Sequence, residues 1–232
     1  PHLLPYPYPY PYPSPSPSQL VAIFFFMMIA MIVFSSMMYY AEFGWVAAPG
    51  SNVVLPGPKT EWEADATELT PGSPVNLTWT SPQGLTFKRS IAVDDGYMFT
   101  ITDTVTNGSD AAQELFPYGL ISRGGLPETT GFYILHEGLL GVNNGELKEV
   151  DYDDLQETKQ ETSTGTGGWI GITDKYWLTA LIPGKDTEVT KRYVYRKAGV
   201  IDTYQVDFLG AGVTVAPGSS GAAENRLFAG AK

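Results

Sequence analysis

Residues 85–105 read LTFKRSIAVDDGYMFTITDTV, two runs of alternating apolar and polar residues separated by Asp94, Asp95 and Gly96. Because successive side chains of a strand point to opposite faces, such alternation predicts two half-buried β-strands. The separating residues are turn formers, and Gly96 can adopt the positive φ that a tight hairpin needs. The segment therefore predicts an antiparallel hairpin. Its expected core-facing side chains are Leu85, Phe87, Ile91 and Val93 on the first strand and Tyr97, Phe99, Ile101 and Val105 on the second.

Similar short segments, rich in β-branched and aromatic residues, recur from Val75 onward with Gly, Pro, Asn and Asp between them. This spacing is typical of an antiparallel sandwich or barrel. Helical periodicity is weak, and residues 153–162 are the best candidate for a short helix. The chain is thus predicted to be mostly β. We expect further strands at residues 115–122, 132–135, 169–173, 176–182, 189–196, 203–208 and 224–228.

The composition of the chain limits which partners it can bind and which kinds of catalytic or metal site it can contain. The chain has 25 acidic against 14 basic residues among 232, a net charge of −11. Nucleic-acid binding relies on clustered Lys and Arg, so nucleic acid is excluded as the expected partner. The absence of cysteine rules out disulfides, a thiolate nucleophile and a zinc site with Cys ligands.

The N-terminal part differs in composition from the rest and sets the domain division. Residues 1–18 are a Pro/Tyr/Ser low-complexity tract, which we expect to be disordered. Residues 19–38 contain an uncharged apolar run, and its nineteen positions from Leu20 would span roughly 28 Å as a helix, about the thickness of a bilayer core. This run is a candidate membrane anchor, although an apolar leader without a membrane role explains the sequence equally well. Residues 39–232 then form one predicted β-domain.

One histidine lies outside the N-terminal tract, His136, and it is followed by Glu137. A histidine with a carboxylate can perform general acid–base chemistry. However, adjacent residues on a continuous strand point to opposite faces, so a structural, hydrogen-bonded His136 is the favoured interpretation. We therefore assign no catalytic residue.

Two further patterns resemble known kinds of site. An acidic cluster suggests calcium, but it lacks the glycine and the alternation of an EF-hand loop and favours a solvated surface. Asn76 and Asn107 each begin a glycosylation acceptor pattern, and Asn107 with Gly108 is more simply a turn. No metal and no cofactor is predicted. The acidic cluster consists of Glu146, Glu149, Asp151, Asp153, Asp154 and Glu157.

Several long strings of the chain resemble the large periplasmic domain of the YidC membrane protein insertases. They are YYAEFGWVAAPGSNVVLPGP (39–58), ELFPYGLISRGGLPETTGFYILHEGLLGV (114–142), GGWIGITDKYWLTALIP (167–183) and ENRLFAGAK (224–232). The resemblance covers residues 39–232 and does not extend to residues 1–38. It implies an antiparallel β-supersandwich like that of galactose mutarotases. The early strands of the family pattern do not occur here, so an incomplete sheet is an expected outcome.

The resemblance also implies a function. Insertases of this family insert and help to fold bacterial inner-membrane proteins, and their insertion groove lies in transmembrane helices outside the resembling stretch. No residue here corresponds to that groove, so no functional site is carried over. The chain is then expected to be a non-enzymatic interaction or scaffold module that faces the periplasm. The implied partners are client proteins, the Sec translocon and the SecDF complex. The alternative is a carbohydrate-binding or aldose-epimerase-like supersandwich protein that uses His136 and Glu137.

Overall fold

The computed structural model describes residues 39–127 and 136–232, which form β-strands and one short helix. The mostly β prediction is confirmed. The strands are β1 (Tyr39–Ala47), β2 (Glu63–Ala64), β3 (Val75–Thr80), β4 (Leu85–Val93), β5 (Met98–Asn107), β6 (Gln113–Gly124), β7 (Gly138–Asn143), β8 (Glu146–Val150), β9 (Gln160–Thr166), β10 (Trp169–Thr173), β11 (Trp177–Ile182), β12 (Glu188–Ala198), β13 (Ile201–Gly210), β14 (Val213–Val215) and β15 (Ser220–Ala231), and the helix is α1 (Tyr152–Thr158).

The strands form two antiparallel sheets. The six-stranded sheet has the order β1-β6-β13-β12-β9, with β14 also paired to β6. The nine-stranded sheet has the order β2-β3-β4-β5-β15-β11-β10-β7-β8. The two sheets pack face to face, because the largest buried cluster combines side chains from both. Phe43, Ile121 and Phe208 of the six-stranded sheet lie in the same cluster as Ile101 and Leu181 of the nine-stranded sheet. This is the sandwich that the alternating pattern predicted.

The predicted hairpin is β4–β5, and its apolar face is buried at Leu85, Phe87 and Ile91. Its turn differs from the prediction. Gly96 does not have a positive φ, whereas Tyr97 does, at 62°. Tyr97 also lies in the turn with an exposed ring, so the prediction that it faces the core was wrong. The Oδ1 atom of Asp94 accepts hydrogen bonds from the backbone N–H groups of Gly96 and Met98, and these bonds hold the turn in this form.

The other predicted strands correspond to β6, β10, β11, β12, β13 and β15, and the one at 132–135 lies outside the described residues. The helix predicted at 153–162 is longer than the observed one. It ends at Thr158, because Lys159 adopts a positive φ of 66° and Gln160 begins β9. The predicted disordered tract and the candidate anchor, residues 1–38, are also outside the described part. Within that part, no helix is long and apolar enough to cross a membrane.

Candidate functional site

A cleft with a volume of about 50 Å³ opens between the two sheets, where β1 of one faces β4 and β5 of the other. Its walls combine aromatic rings with charged side chains, and the loop before β2 closes one side. We call it the β1 cleft. The residues that line it are Glu42, Phe43, Gly44, Trp45, Pro56, Gly57, Pro58, Trp62, Phe87, Lys88, Arg89, Asp103, Thr104 and Tyr118.

An ion pair at the base of the β1 cleft joins two neighbouring strands. Arg89 on β4 lies directly opposite Asp103 on β5. Its Nε lies 2.7 Å from Oδ1 of Asp103 and its Nη2 lies 3.1 Å from Oδ2, a bidentate geometry. The side chain of Asp103 is 6% exposed and that of Arg89 is 18% exposed. The two charges therefore neutralise each other in a largely desolvated position.

The same arginine connects the two sheets. Nη2 of Arg89 donates a hydrogen bond of 2.6 Å to the carbonyl oxygen of Phe43 on β1, and the guanidinium lies 5.7 Å from the centroid of the Trp62 ring. Among the described strands, β1 pairs only with β6. Backbone groups alternate in direction along an antiparallel strand, so the Phe43 carbonyl belongs to the outer side of β1. Arg89 thus satisfies part of a sheet edge that would otherwise face the cleft.

A second polar contact crosses the wall of the β1 cleft. The hydroxyl of Tyr118 on β6 donates a hydrogen bond to Oε1 of Glu42 on β1. Burial, and then the neighbouring Glu42 carboxylate, raise the pKa of Tyr118 above its ordinary value. The ring lies across Gly44, where a Cβ atom would be only 2.9 Å from Cε1 of the tyrosine. Gly44 is therefore needed for the close approach of Tyr118 to β1.

These contacts define what the β1 cleft can do. Arg89 and Asp103 are committed to each other, and Glu42 is committed to Tyr118. The cavity has room for a few water molecules or one short side chain. Aromatic walls with fixed polar groups suit recognition of a small part of a partner. The arrangement therefore favours binding over acid–base catalysis.

His136 and Glu137 do not line the β1 cleft. They precede β7, and Nε2 of His136 lies 2.9 Å from the carbonyl oxygen of Leu139. Nδ1 of His136 lies 3.5 Å from Oδ1 of Asp151, and the side chain is 13% exposed. The histidine is thus held by a backbone carbonyl and lies beside Asp151. These contacts are those of a structural histidine.

The acidic cluster is spread over several elements. Glu146 and Glu149 lie on β8, Asp151 lies beside His136, and Asp153 and Asp154 lie in the first turn of α1. In the part of the chain that the structure describes, no three His, Cys, Asp or Glu side chains are grouped as metal ligands would be. Asn107, which begins the second acceptor pattern, is fully buried. Its Nδ2 donates to the carbonyls of Ala111 and Val215, each at 2.8 Å, so this side chain is a structural link.

Sequence reasoning missed several charged side chains that lie inside the sandwich. For Arg89 and Asp103 a signal existed, because opposite charges occupy core-facing positions of two strands joined by a hairpin. Lys191 on β12 is also buried, and its Nζ donates to the carbonyl of Gly167 at 2.6 Å and to Oδ1 of Asn143 at 3.1 Å. Burial lowers the pKa of Lys191. The glycines at 167–168 thus contribute a backbone carbonyl to the environment of this lysine.

Sequence reasoning also missed Arg123, which forms an ion pair with Asp174. Arg123 lies at the end of β6 and Asp174 follows β10, so this pair also connects the two sheets. The Arg123 guanidinium is 5.6 Å from the centroid of the Tyr39 ring. Nothing in the local sequence pattern indicates that these residues meet, because the contact depends on how the sheets align.

Two large antiparallel sheets with an aromatic cleft between them define a β-supersandwich protein of the galactose-mutarotase type. A crystal structure of a candidate aldose 1-epimerase from Escherichia coli K12 agrees with this class: its TM-score is 0.50 at 11% identity, over 75% of this chain and 69% of that chain. That likeness concerns the fold. Within this class, the family described as YidC periplasmic domain matches residues 33–232, and the chain belongs to that family. The match begins six residues before Tyr39, the first residue of the resembling strings.

Curated relatives agree with the family. The chain is 48% identical to the membrane protein insertase YidC of Bradyrhizobium diazoefficiens over 195 residues, which are 84% of this chain and 32% of that protein. It is 46% identical to the insertase of Nitrobacter hamburgensis over 84% of this chain and 32% of that protein, and 42% identical to that of Maricaulis maris over 85% and 34%. The chain thus spans about a third of the length of these relatives.

Proposed function

We propose that this chain is the periplasmic module of a membrane protein insertase, and that it assists the insertion and folding of bacterial inner-membrane proteins without catalysing a covalent reaction. The observation that carries the proposal is the family match over residues 33–232, together with relatives that are named as membrane protein insertases. In this proposal residues 39–232 are the interaction domain, residues 19–38 its membrane anchor and residues 1–18 a disordered extension.

The contacts of the titratable groups support a binding role. In the β1 cleft, Arg89 and Asp103 are paired, and near β7 His136 is hydrogen-bonded with the backbone carbonyl of Leu139. An enzyme of the epimerase type would need an acid and a base that converge on one substrate. His136 and Glu137, the residues of that alternative, are not joined to each other and lie outside the β1 cleft.

The partners that we propose are polypeptides at the periplasmic surface of the inner membrane. They are the periplasmic loops of client proteins, the Sec translocon and the SecDF complex. The β1 cleft is our candidate contact surface, because its aromatic walls can receive one short side chain while the outer edge of β1 pairs with the extended segment that carries it. Trp62 lies at this surface and is a suitable probe.

Site-specific photo-crosslinking tests this function. The full chain carries a photoreactive amino acid in place of Trp62 and, as the matched control, in place of the exposed Glu149 on β8. In cells that produce a periplasmic-loop client, we expect crosslinks to the client or translocon from position 62 and few from position 149. Crosslinks from neither position would contradict the proposal. Acceleration of aldose mutarotation by the chain, lost in His136→Ala, would instead support the epimerase alternative.

A further inference from the structure

Exposed apolar side chains are concentrated at one end of the sandwich. Ten large hydrophobic residues are exposed in the described part of the chain, and six of them lie at this end. The most exposed is Val200, at 94%. We call this surface the terminal face. Its six exposed residues are Tyr97, Leu126, Tyr176, Trp177, Val200 and Ile201.

Strand pairing places these residues together although they come from four segments. In the nine-stranded sheet, Trp177 at the start of β11 lies opposite Ala231, and Met98 after the β4–β5 turn lies opposite Phe228. In the six-stranded sheet, the β12–β13 turn contains Val200, and Thr203 lies opposite Gly124 near the end of β6. The Arg123–Asp174 ion pair fastens these two sheet ends to each other. The apolar residues therefore share one surface.

Both ends of the described domain also lie at the terminal face. Tyr39 begins β1 opposite Arg123, and the backbone N–H of Lys232 donates to the carbonyl of Tyr176. The sequence immediately before Tyr39 is the uncharged apolar run of residues 20–38, which is long enough to span a bilayer core as a helix. A membrane anchor at this position would hold the terminal face, and not another surface, close to the bilayer.

The chemistry of the terminal face matches that of a membrane–water interface. Tryptophan and tyrosine concentrate at this depth because their rings are apolar and their N–H and O–H groups are polar. Lys175, whose Nζ is 5.1 Å from the centroid of the Tyr176 ring, can extend its ammonium group toward phosphates while its stem stays apolar. We propose that the terminal face lies in the headgroup region of the bilayer, with Trp177, Tyr176 and Val200 as its contacts.

The charges near the terminal face indicate that it binds lipid through apolar contact and not through attraction to anionic headgroups. The acidic helix α1, with Asp153 and Asp154 exposed, lies near the same end, because its Tyr152 packs edge-on against Tyr204. The chain also carries a net charge of −11. Attraction to anionic lipid is therefore weak, and contact with neutral phosphatidylcholine vesicles should persist at high salt.

The absence of cysteine makes the contact directly measurable. A nitroxide label is attached to Val200→Cys and, as the matched control, to Val54→Cys, an exposed valine in the loop after β1 at the opposite end. The full chain is bound to phosphatidylcholine vesicles. We expect the label at 200 to be shielded from a water-soluble nickel complex and accessible to oxygen, and the label at 54 to remain accessible to nickel. Equal nickel access at both positions, or no association with vesicles, would overturn the proposal.

Intrinsic fluorescence supplies an independent measurement. Vesicles of brominated phosphatidylcholine should quench part of the tryptophan emission of the full chain. Trp177→Phe should abolish this quenching, and Trp62→Phe, at the β1 cleft, should leave it unchanged. Unaltered quenching in Trp177→Phe would contradict the inference. The inference would also fail if the label at position 200 were shielded from nickel only after translocon protein had been added. Either failure leaves the crosslinking result at position 62, and with it the insertase proposal, untouched.

Discussion

Arg89 joins three structural elements through one guanidinium group. It pairs with Asp103, donates to the Phe43 carbonyl and stacks near Trp62. Arg89→Ala would leave the carboxylate of Asp103 buried without its partner, so we expect a loss of roughly 3–5 kcal/mol in the free energy of unfolding. Urea denaturation followed by tryptophan fluorescence measures this loss.

Two variants control for the charge and for the position. Lys88→Ala, on the exposed face of the same strand, should change the free energy of unfolding by less than about 0.5 kcal/mol. The double variant Arg89→Met with Asp103→Leu removes both charges and should recover much of the loss. If Arg89→Ala were no more destabilising than Lys88→Ala, the ion pair would not hold the sheets together.

The buried Lys191 should make the stability of the fold depend on pH, and the direction of this dependence follows from its lowered pKa. Burial lowers its pKa in the folded state below the value of 10.5 in the unfolded chain. Between these two pKa values the unfolded state binds more protons, so this lysine makes the fold more stable as the pH rises toward 10.5. We expect the free energy of unfolding of the wild type to rise relative to that of Lys191→Met over this window. Lys185→Met, at an exposed lysine, should run parallel to the wild type, and a parallel course for Lys191→Met would refute the effect.

At the scale of elements, the β4–β5 turn has its positive φ at Tyr97, whereas the sequence predicted it at Gly96. Substitutions at these two positions test which residue carries the left-handed conformation. Tyr97 holds a φ of 62°, a conformation that costs a non-glycine residue roughly 1–2 kcal/mol. Tyr97→Gly relieves this strain and should therefore raise the free energy of unfolding by about 1 kcal/mol. The greater conformational entropy of glycine in the unfolded chain reduces this gain. Gly96→Ala should cost well under about 1 kcal/mol, because Gly96 does not have a positive φ and an added Cβ would only crowd Oδ1 of Asp94, at 3.3 Å. Thermal denaturation of both variants measures these changes in stability. A large loss of stability in Gly96→Ala, with no gain in Tyr97→Gly, would place the positive φ at Gly96 instead.

The elements that the sequence predicted are those with one buried face. β4, β5, β12 and β13 alternate because they lie inside the sheets, and their side chains must divide between core and solvent. β8 and β9 were missed because they are edge strands: ELKEV is exposed at four of its five positions, and QETSTGT is mostly polar. Edge strands need little apolar surface and commonly carry charge, which removes the signal. The predicted helix overran into β9 for the same reason.

At the scale of the whole molecule, the sequence resemblance predicted the supersandwich, but not which side chains meet across it. The β1 cleft and the terminal face each combine segments that are far apart in the chain. Arg89 contacts Phe43 from 46 residues away, and Arg123 contacts Asp174 from 51 residues away. Such contacts follow from sheet alignment, which local patterns do not encode. Candidate surfaces of this kind therefore require the three-dimensional structure.

The tyrosines of the whole sandwich predict how the protein unfolds in alkali. Burial raises the pKa of Tyr193 to about 12, and burial also raises the pKa of Tyr152 and Tyr204. A raised pKa means that the neutral phenol is favoured in the fold, so its stabilisation is complete below pH 10 and is lost as the pH rises through 12. For Tyr193 the full loss corresponds to roughly 2–3 kcal/mol. We expect cooperative unfolding between pH 10 and 12, with phenolate absorbance rising together with the loss of β-sheet circular dichroism.

A matched pair of variants assigns this alkaline transition. Tyr193→Phe removes one buried phenol and should move the midpoint to higher pH, because the fold no longer has to exclude that ionisation. Tyr176→Phe removes an exposed phenol at the terminal face and should leave the midpoint unchanged. Tyr152→Phe should raise it as well, since the Tyr152 hydroxyl is buried without a hydrogen-bond partner among the described residues, and its loss leaves no acceptor or donor unpaired. Identical midpoints in all three variants would mean that alkaline unfolding is driven by net charge instead of by the buried tyrosines.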